Sequence, residues 1–392
     1  MWIGRLYAEK VMALQAQRPV VLLTGIRQVG KSSLLKKLFP IAEYVTLDYT
    51  LLAEEAASNP LYFLQKFEGQ VIIDEMQYAP TLFRNLKILV DQHREKKGKW
   101  ILTGSQQFSL MDGVRESLAG RAGILNLYPL SAVELNEAKL LEENARDLLW
   151  KGGFPEIWAE NLDAALFYQD YIQTYLERDL KLVLNVTNIR DFRRFMSLLA
   201  LRAGQLLNLS SVAKDLSVTV NTVKAWVNAL ETSGIIYLLP PYYNNLGKRL
   251  IKAPKLYVCD NGLLSALLNI ESMASYDRSL HRGALWENFT FTELLKAGFV
   301  PGKSLFYYRD QNGVEIDFVV EQSSSEITLL EAKETENPSA KQLNFKKVAP
   351  LFKEQVRCVV ASNIWQAGFL KLKDFEAFNP LMTPFVKDTG HS

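Results

Sequence analysis

The sequence predicts an α/β protein. A parallel, doubly wound sheet comes first, followed by a helical stretch, a helix-turn-helix with a hairpin, and a second α/β unit. Three observations predict it. Apolar strand-like runs alternate with helical periods up to about residue 130. Only helical pattern remains from there to about residue 204. Strand runs then return, first as a hairpin after two short helices and again after residue 300.

Residues 1–19 read as a short amphipathic helix closed by Arg18 and Pro19. The apolar run Val20–Thr24 is the first strand. It leads into Gly25, Ile26, Arg27, Gln28, Val29, Gly30, Lys31 and Ser32, and then a helix from Ser33 to Phe39 with Leu34, Leu35, Leu38 and Phe39 on one face. Pro40 stops it. Tyr44–Leu47 is a second strand, residues 51–67 are helical with a turn at Asn59 and Pro60, and Val71–Asp74 is a buried strand. A helix from Leu82 to Glu95, a strand Lys99–Thr103 and a fifth strand Ala122–Leu127 complete the unit.

Residues 25–32 satisfy G-x-x-x-x-G-K-[ST] at every fixed position, with a strand before and a helix after. Glycines 25 and 30 permit backbone conformations that turn successive N–H groups onto a phosphate, and the helix start adds partial positive charge. This is a phosphate-binding loop, and it predicts that residues 25–33, ending at Ser33, cradle a nucleoside triphosphate, which the resemblance given below makes ATP. Lys31 then reaches the β- and γ-phosphates, and the Ser32 hydroxyl ligates Mg²⁺. Asp74 is placed to hold the Mg²⁺ shell and Glu75 to polarise the attacking water. Beyond the fourth strand, Ser105 or Gln106 either orients that water or closes a polar turn. Arg121 either brings a guanidinium to the γ-phosphate, in its own chain or a neighbour's in a homo-oligomer, or pairs structurally.

The 392 residues are 48% hydrophobic, which excludes global disorder and calls for two or three domains. A formal charge of +2, from 45 basic and 43 acidic residues, excludes a histone-like binder. Cys259 and Cys358 read as buried reduced thiols, not a disulfide or metal framework. No signal-type core and no membrane-spanning run is present, so a cytoplasmic protein without membrane contact is expected.

Tyr168, Tyr171 and Tyr175 fall at helical spacing within the helical stretch, a pattern of packing, and the stretch is expected to form a lid over the nucleotide. Leu209–Leu216, a turn, Asn221–Leu230 and the strand run to Leu239 follow the order of a winged helix-turn-helix. Its hairpin carries Lys248, Arg249, Lys252 and Lys255 among Tyr237, Tyr242, Tyr243 and Tyr257. This mixture suits DNA or RNA contact, or else lysines that blunt an edge strand.

The last part reads as a helix over Ala284–Ala297, strands Leu305–Arg309, Val314–Val320 and Ile327–Lys333, a helix Lys341–Val348 and a strand Val356–Ala361. Glu287 lies on the first helix, Asp317 inside an apolar strand, and Glu331 and Lys333 on one face of the next. Glu287, Asp317 and Glu331 either hold Mg²⁺, with Lys333 helping to activate water for phosphodiester attack, or Lys333 forms a structural salt bridge with Asp317 or Glu331.

These motifs resemble those of bacterial and archaeal AAA-superfamily ATPases whose C-terminal module is similar to PD-(D/E)xK restriction endonucleases. The resemblance covers nearly the whole chain: Gly25–Ser32, Ile72–Glu75, Thr103–Ser105, Leu118–Arg121, Tyr175–Asp179, Asn221–Lys224, Arg309 and Asp310, Glu315–Asp317 and Glu331–Lys333. It implies ATPase residues Lys31, Ser32, Asp74 and Glu75, and a nuclease-type set Glu287, Asp317, Glu331 and Lys333. Ser32 stands where many members have threonine, which keeps the hydroxyl. The implied fold is a P-loop NTPase parallel sheet (1–130), a helical lid (131–204), a winged helix-turn-helix (205–260) and a restriction-endonuclease-like α/β domain (261–392). Two functions follow: an ATPase driving a nucleic-acid-directed activity, or a nucleotide-dependent switch whose last domain only binds partners.

Overall fold

The computed structural model describes residues 1–104, 117–142, 144–176, 189–242 and 253–386. They form two compact units, Met1–Leu130 with Thr232–Gly234, and Ser131–Glu231 with Ile235–Ser392.

In the first unit, α1 (Tyr7–Gln17) precedes β1 (Val20–Thr24), and α2 (Lys31–Leu38) follows the glycine loop. Next come β2 (Glu43–Thr46), α3 (Thr50–Ser58), α4 (Pro60–Gln65), β3 (Val71–Asp74), α5 (Leu82–Gln92), β4 (Trp100–Thr103) and β5 (Ala122–Asn126). The sheet order is β2-β3-β4-β1-β5, and every pairing is parallel. Strands β1, β3 and β4 are buried along their whole length, so their sequences read as unbroken apolar runs without alternation. Leu82, Phe83, Leu86 and Val90 of α5 join Val71, Ile73 and Trp100 in one core. Each such side chain contributes about 1.5–3 kcal/mol on burial. Pro60 breaks the 51–67 stretch into two helices because it has no N–H to continue the first, yet suits the opening position of the second.

The second unit begins with α6 (Ala132–Glu137), where Ser131 and Glu134 form a capping box. Short helices α7 (Leu148–Lys151), α8 (Pro155–Ala159) and α9 (Ala164–Tyr171) lead to α10 (Ile189–Ala200), α11 (Leu209–Leu216) and α12 (Val220–Thr232). Antiparallel β6 (Ile236–Leu239) and β7 (Lys255–Val258) form the hairpin. Then come α13 (Asn261–Leu267), α14 (Met273–Arg278) and α15 (Arg282–Lys296). The remaining elements are β8 (Leu305–Arg309), β9 (Glu315–Glu321), β10 (Glu326–Lys333), α16 (Phe345–Val348), β11 (Gln355–Ser362), β12 (Leu370–Lys371) and β13 (Glu376–Phe378). They build a mixed six-stranded sheet of order β12-β13-β11-β10-β9-β8.

The rings of Tyr168, Tyr171 and Tyr175 pack in a chain with Phe154. Cys259 is buried and Cys358 half-buried, and both are free thiols. Among the described residues, no helix is long and apolar enough to cross a membrane.

Candidate functional site

The glycine loop lies at the carboxyl end of β1, which runs between β4 and β5 in the sheet. Gly25 has φ +144°, and a Cβ there would stand 2.3 Å from the Leu127 carbonyl oxygen, so only glycine fits. Gly30, at φ 87°, turns the chain into α2, whose first N–H groups have no partner within the helix. Arg5, which carried no signal in the sequence, braces the loop by donating to the carbonyls of Val29 at 2.7 Å and Tyr128 at 2.5 Å. Ile26 and Val29 are buried, while Gln28 and Ser33 are exposed. Arg27 donates to the Tyr78 hydroxyl at 3.5 Å.

Lys31 is buried, and its ammonium donates to the carbonyls of Gly25 and Ile26, each at 3.0 Å. Burial lowers its pKa, opposed by the charges of Glu75 and Asp74. The Ser32 hydroxyl donates to Asp74 Oδ2 at 2.6 Å. Asp74 also accepts from the hydroxyls of Tyr44 and Thr103 and, at 3.1 Å, from the Glu75 N–H. The sequence marks Tyr44 only as a strand residue and Thr103 only as the start of a motif, yet parallel register brings their strands to either side of β3, which ends at Asp74. Thr46 pairs with Asp74 across β2 and β3, and Leu102 with Ile73 across β4.

Glu75 sits at φ 58°, ψ 47°, a left-handed conformation costly for a residue with a Cβ. Its carboxylate accepts from the Gln77 amide. Burial raises its pKa above the usual carboxylate value, against the opposing pull of that amide and Lys31. Ser105 and Gln106 lie outside the described residues.

The reading of Arg121 as a γ-phosphate group in its own chain needs correction. Arg121 precedes β5, and its carbonyl accepts from Val20 N–H at the opposite end of β1 from the loop. The five residues of β1 separate the two ends by about 13 Å at 3.3 Å per residue. Its guanidinium instead holds Asp91 through two bonds, of 2.8 and 2.7 Å.

A protein of Mycobacterium tuberculosis described as uncharacterised is 34% identical over 325 residues, spanning 82% of this chain and 71% of its own. The chain belongs to that protein's family. An uncharacterised Haemophilus influenzae protein is 24% identical over 330 residues, 75% of this chain and 78% of that one. A family model described as an AAA domain matches residues 17–136, so the first unit carries an AAA-superfamily P-loop ATPase domain. Two models described as domains of unknown function match residues 142–274 (DUF8612) and 282–364 (DUF4143). Among solved structures, the Walker-type ATPase of Pyrococcus abyssi is 19% identical at TM-score 0.41, covering 68% of this chain and 96% of its own. The RuvB Holliday junction branch migration motor of Thermotoga maritima is 19% identical at TM-score 0.32, covering 61% of this chain and 90% of its own.

Beyond the AAA domain, in the second unit, the acidic set converges as its strand positions require. Asp317 Oδ2 accepts from Ala332 N–H at 2.9 Å and from the Lys333 ammonium at 3.2 Å. Lys333 also bonds Glu331 Oε2 at 2.8 Å. Glu287 lies on the far side of Asp317 from Lys333, and between the two carboxylates stands a cation not assigned to this set, Lys255. Its ammonium is 2.9 Å from Glu287 Oε1 and 3.4 Å from Asp317 Oδ1. Burial pushes Glu287 up, against Lys255, and also opposes the charge on Asp317, which Lys255 and Lys333 nevertheless hold below the usual range. Burial works against Lys255 too, but Glu287, Tyr257 and Asp317 raise it well above the ordinary lysine value. Among the described residues, no three His, Cys, Asp or Glu side chains are arranged to hold a metal ion. The oxygens of Glu287, Asp317 and Glu331 face two ammonium groups, Lys255 and Lys333.

Three of the hairpin residues are turned inward. Lys255 is 1% exposed, and Tyr242 and Tyr257 are buried. Tyr257 stacks on Phe291 with centroids 4.1 Å apart, and Tyr242 packs on Phe306 and Phe352. None of these three offers a face to a nucleic acid. Tyr243, Lys248, Arg249 and Lys252 lie outside the described residues.

Proposed function

We propose that the first unit binds ATP with Mg²⁺ and hydrolyses it. The single observation that carries this is the convergence of Lys31, Ser32, Asp74 and Glu75 at one sheet edge beside a loop that only glycine can turn. The residues fit the ligand. Loop and helix N–H groups from 25 to 33 suit phosphate oxygens, and Ser32 with Asp74 supplies the hard oxygen donors that Mg²⁺ prefers. Bound there, Mg²⁺ neutralises charge on the phosphates. Lys31 sets an ammonium against the same charge, and Asp74 orients the Ser32 hydroxyl. Glu75, held by Gln77, accepts the proton of the attacking water.

The experiment is phosphate release by wild type and by Lys31→Ala with Mg²⁺ and ATP. The variant is expected to lose turnover by a factor of about 10² or more. Equal rates would reject the reading.

For the rest of the chain we propose a helical segment over 131–204, a winged helix-turn-helix over 205–260 and an α/β module over 261–392, in a cytoplasmic protein. The lysine-neutralised acidic set favours the second of the two functions: nucleotide state governs binding of a DNA, RNA or protein partner, with no strand cleavage by the last module. Nicking of DNA or RNA that requires Mg²⁺ and disappears in Asp317→Ala would restore the nuclease reading.

A further inference from the structure

The carboxylates of the last module lie around Lys255, a residue the resemblance leaves without a role. Lys255 opens β7, where Leu256 and Val258 are fully core residues, and packing alone gives no reason for an ammonium there. Three carboxylates supply the reason. Beyond its bonds to Glu287 and Asp317, Nζ lies 2.5 Å from Glu315 Oε1. The second oxygens of Asp317, Glu331 and Glu315 are engaged as well. Asp317 Oδ2 faces Lys333 and Ala332 N–H, Glu331 Oε1 accepts from Asn344 N–H at 3.2 Å, and Glu315 Oε2 pairs with Arg309 at 2.9 Å. A divalent cation needs about six oxygens at roughly 2.0–2.6 Å, and a fixed ammonium among the same oxygens opposes its entry.

We propose that Lys255 is the resident cation of this carboxylate set, and that the set docks the β6–β7 hairpin on the C-terminal sheet instead of holding a divalent metal. The surrounding contacts are those of a docking joint. The Tyr257 hydroxyl donates to Glu287 Oε1 at 2.7 Å, and Val258 N–H donates to Asn288 Oδ1 at 2.8 Å. Just beyond β6, Tyr242 N–H donates to the Tyr307 carbonyl at 2.7 Å, and Tyr307 N–H to the Pro240 carbonyl at 3.2 Å. A parallel bridge between Pro241 and Tyr307 thus links the chain after β6 to β8, while Tyr242 packs on Phe306 and Tyr257 on Phe291 and Phe318 of the same unit. This holds whether or not the first unit turns over ATP.

The test is Mn²⁺ binding to the nucleotide-free full chain, read by electron paramagnetic resonance, in an Asp74→Asn background that removes the metal-shell carboxylate proposed for the first unit. With Lys255 present, adding Asp317→Asn is expected to leave bound Mn²⁺ unchanged. Lys255→Met is expected to gain one Mn²⁺ per chain, and Asp317→Asn to abolish that gain. A Mn²⁺ site in the Lys255 chain that Asp317→Asn removes would overturn the proposal, and so would a folded Lys255→Met chain that gains none. Should Lys255→Met fail to fold, the comparison with and without Asp317→Asn in the Lys255 chain decides alone.

Discussion

The Ser32 hydroxyl and the Asp74 carboxylate are bonded at 2.6 Å although 42 positions separate them in the chain. Two features bring them together: the loop turn at Gly25, which starts α2 at the carboxyl edge of the sheet, and parallel register, which ends β3 at the same edge. Asp74 is more heavily bonded than a metal-shell carboxylate needs to be, since Tyr44, Thr103 and the Glu75 N–H also donate to it. The Mg²⁺ requirement should therefore depend on this network. Ser32→Ala should raise the Mg²⁺ concentration for half-maximal phosphate release by about tenfold, near the 1.4 kcal/mol of one charge-assisted bond. A Mg²⁺ titration of wild type against variant measures this, and an unchanged midpoint would remove Ser32 from the metal site.

Glu75 should set the acid limb of the pH–rate profile. Its folded pKa is raised by burial, so the proton-accepting form fades as pH falls through a value above the ordinary 4.5. The Gln77 amide opposes that shift by bonding the charged form. Gln77→Ala should consequently move the acid limb to higher pH, while Glu75→Gln should cut turnover by about 10²-fold or more at every pH with nucleotide binding retained. A limb that shifts to lower pH in Gln77→Ala would contradict the assignment.

What was legible in the sequence follows from locality. The loop, the strands that flank it and the acidic pair at 74 and 75 are contiguous patterns, and so are Asp317 and the Glu331–Lys333 step. Tyr44, Thr103 and Arg5 reach the site only through strand order and tertiary contact, which one chain's periodicity does not encode. Lys255 was legible as a basic residue on a hairpin but not as a buried one. Its partners come from α15 and β9, beginning 27 or more residues away. The two short strands β12 and β13, of two and three residues, are too brief for alternation to register.

Arg121 is expected to be dispensable for turnover. It pairs with Asp91 on the surface, where such pairs contribute little. Arg121→Ala should release phosphate at the wild-type rate and melt slightly lower at neutral pH. The guanidinium of Arg121, and after it that of Arg94, holds the Asp91 carboxyl at about 2, below its ordinary 3.8. The contribution of Arg121 to this shared shift is thus complete above pH 3.8 and disappears as pH falls through about 2, so the two melting curves should converge in acid. A large loss of turnover in Arg121→Ala would return this residue to a catalytic role, supplied to a neighbouring copy.

The last expectation concerns Gly25, where backbone and function meet. At φ +144° a Cβ would lie 2.3 Å from the Leu127 carbonyl oxygen and 3.3 Å from Val29 Cγ2, and the first of these is backbone with no room to swing away. Gly25→Ala must either strain the turn or move the strand end after β5, at a cost of about 1–3 kcal/mol in backbone strain. Moving Leu127 is resisted because its N–H donates to the Thr24 carbonyl at 2.8 Å, so the displacement would fall on the loop. Nucleotide affinity should therefore drop more than global stability. The check is a pair of measurements on Gly25→Ala: the denaturant midpoint without nucleotide, and the rise in melting temperature on adding ATP with Mg²⁺. A stability loss with an undiminished ATP-induced rise would mean that the loop tolerates the shift and that its turn is not what positions Lys31.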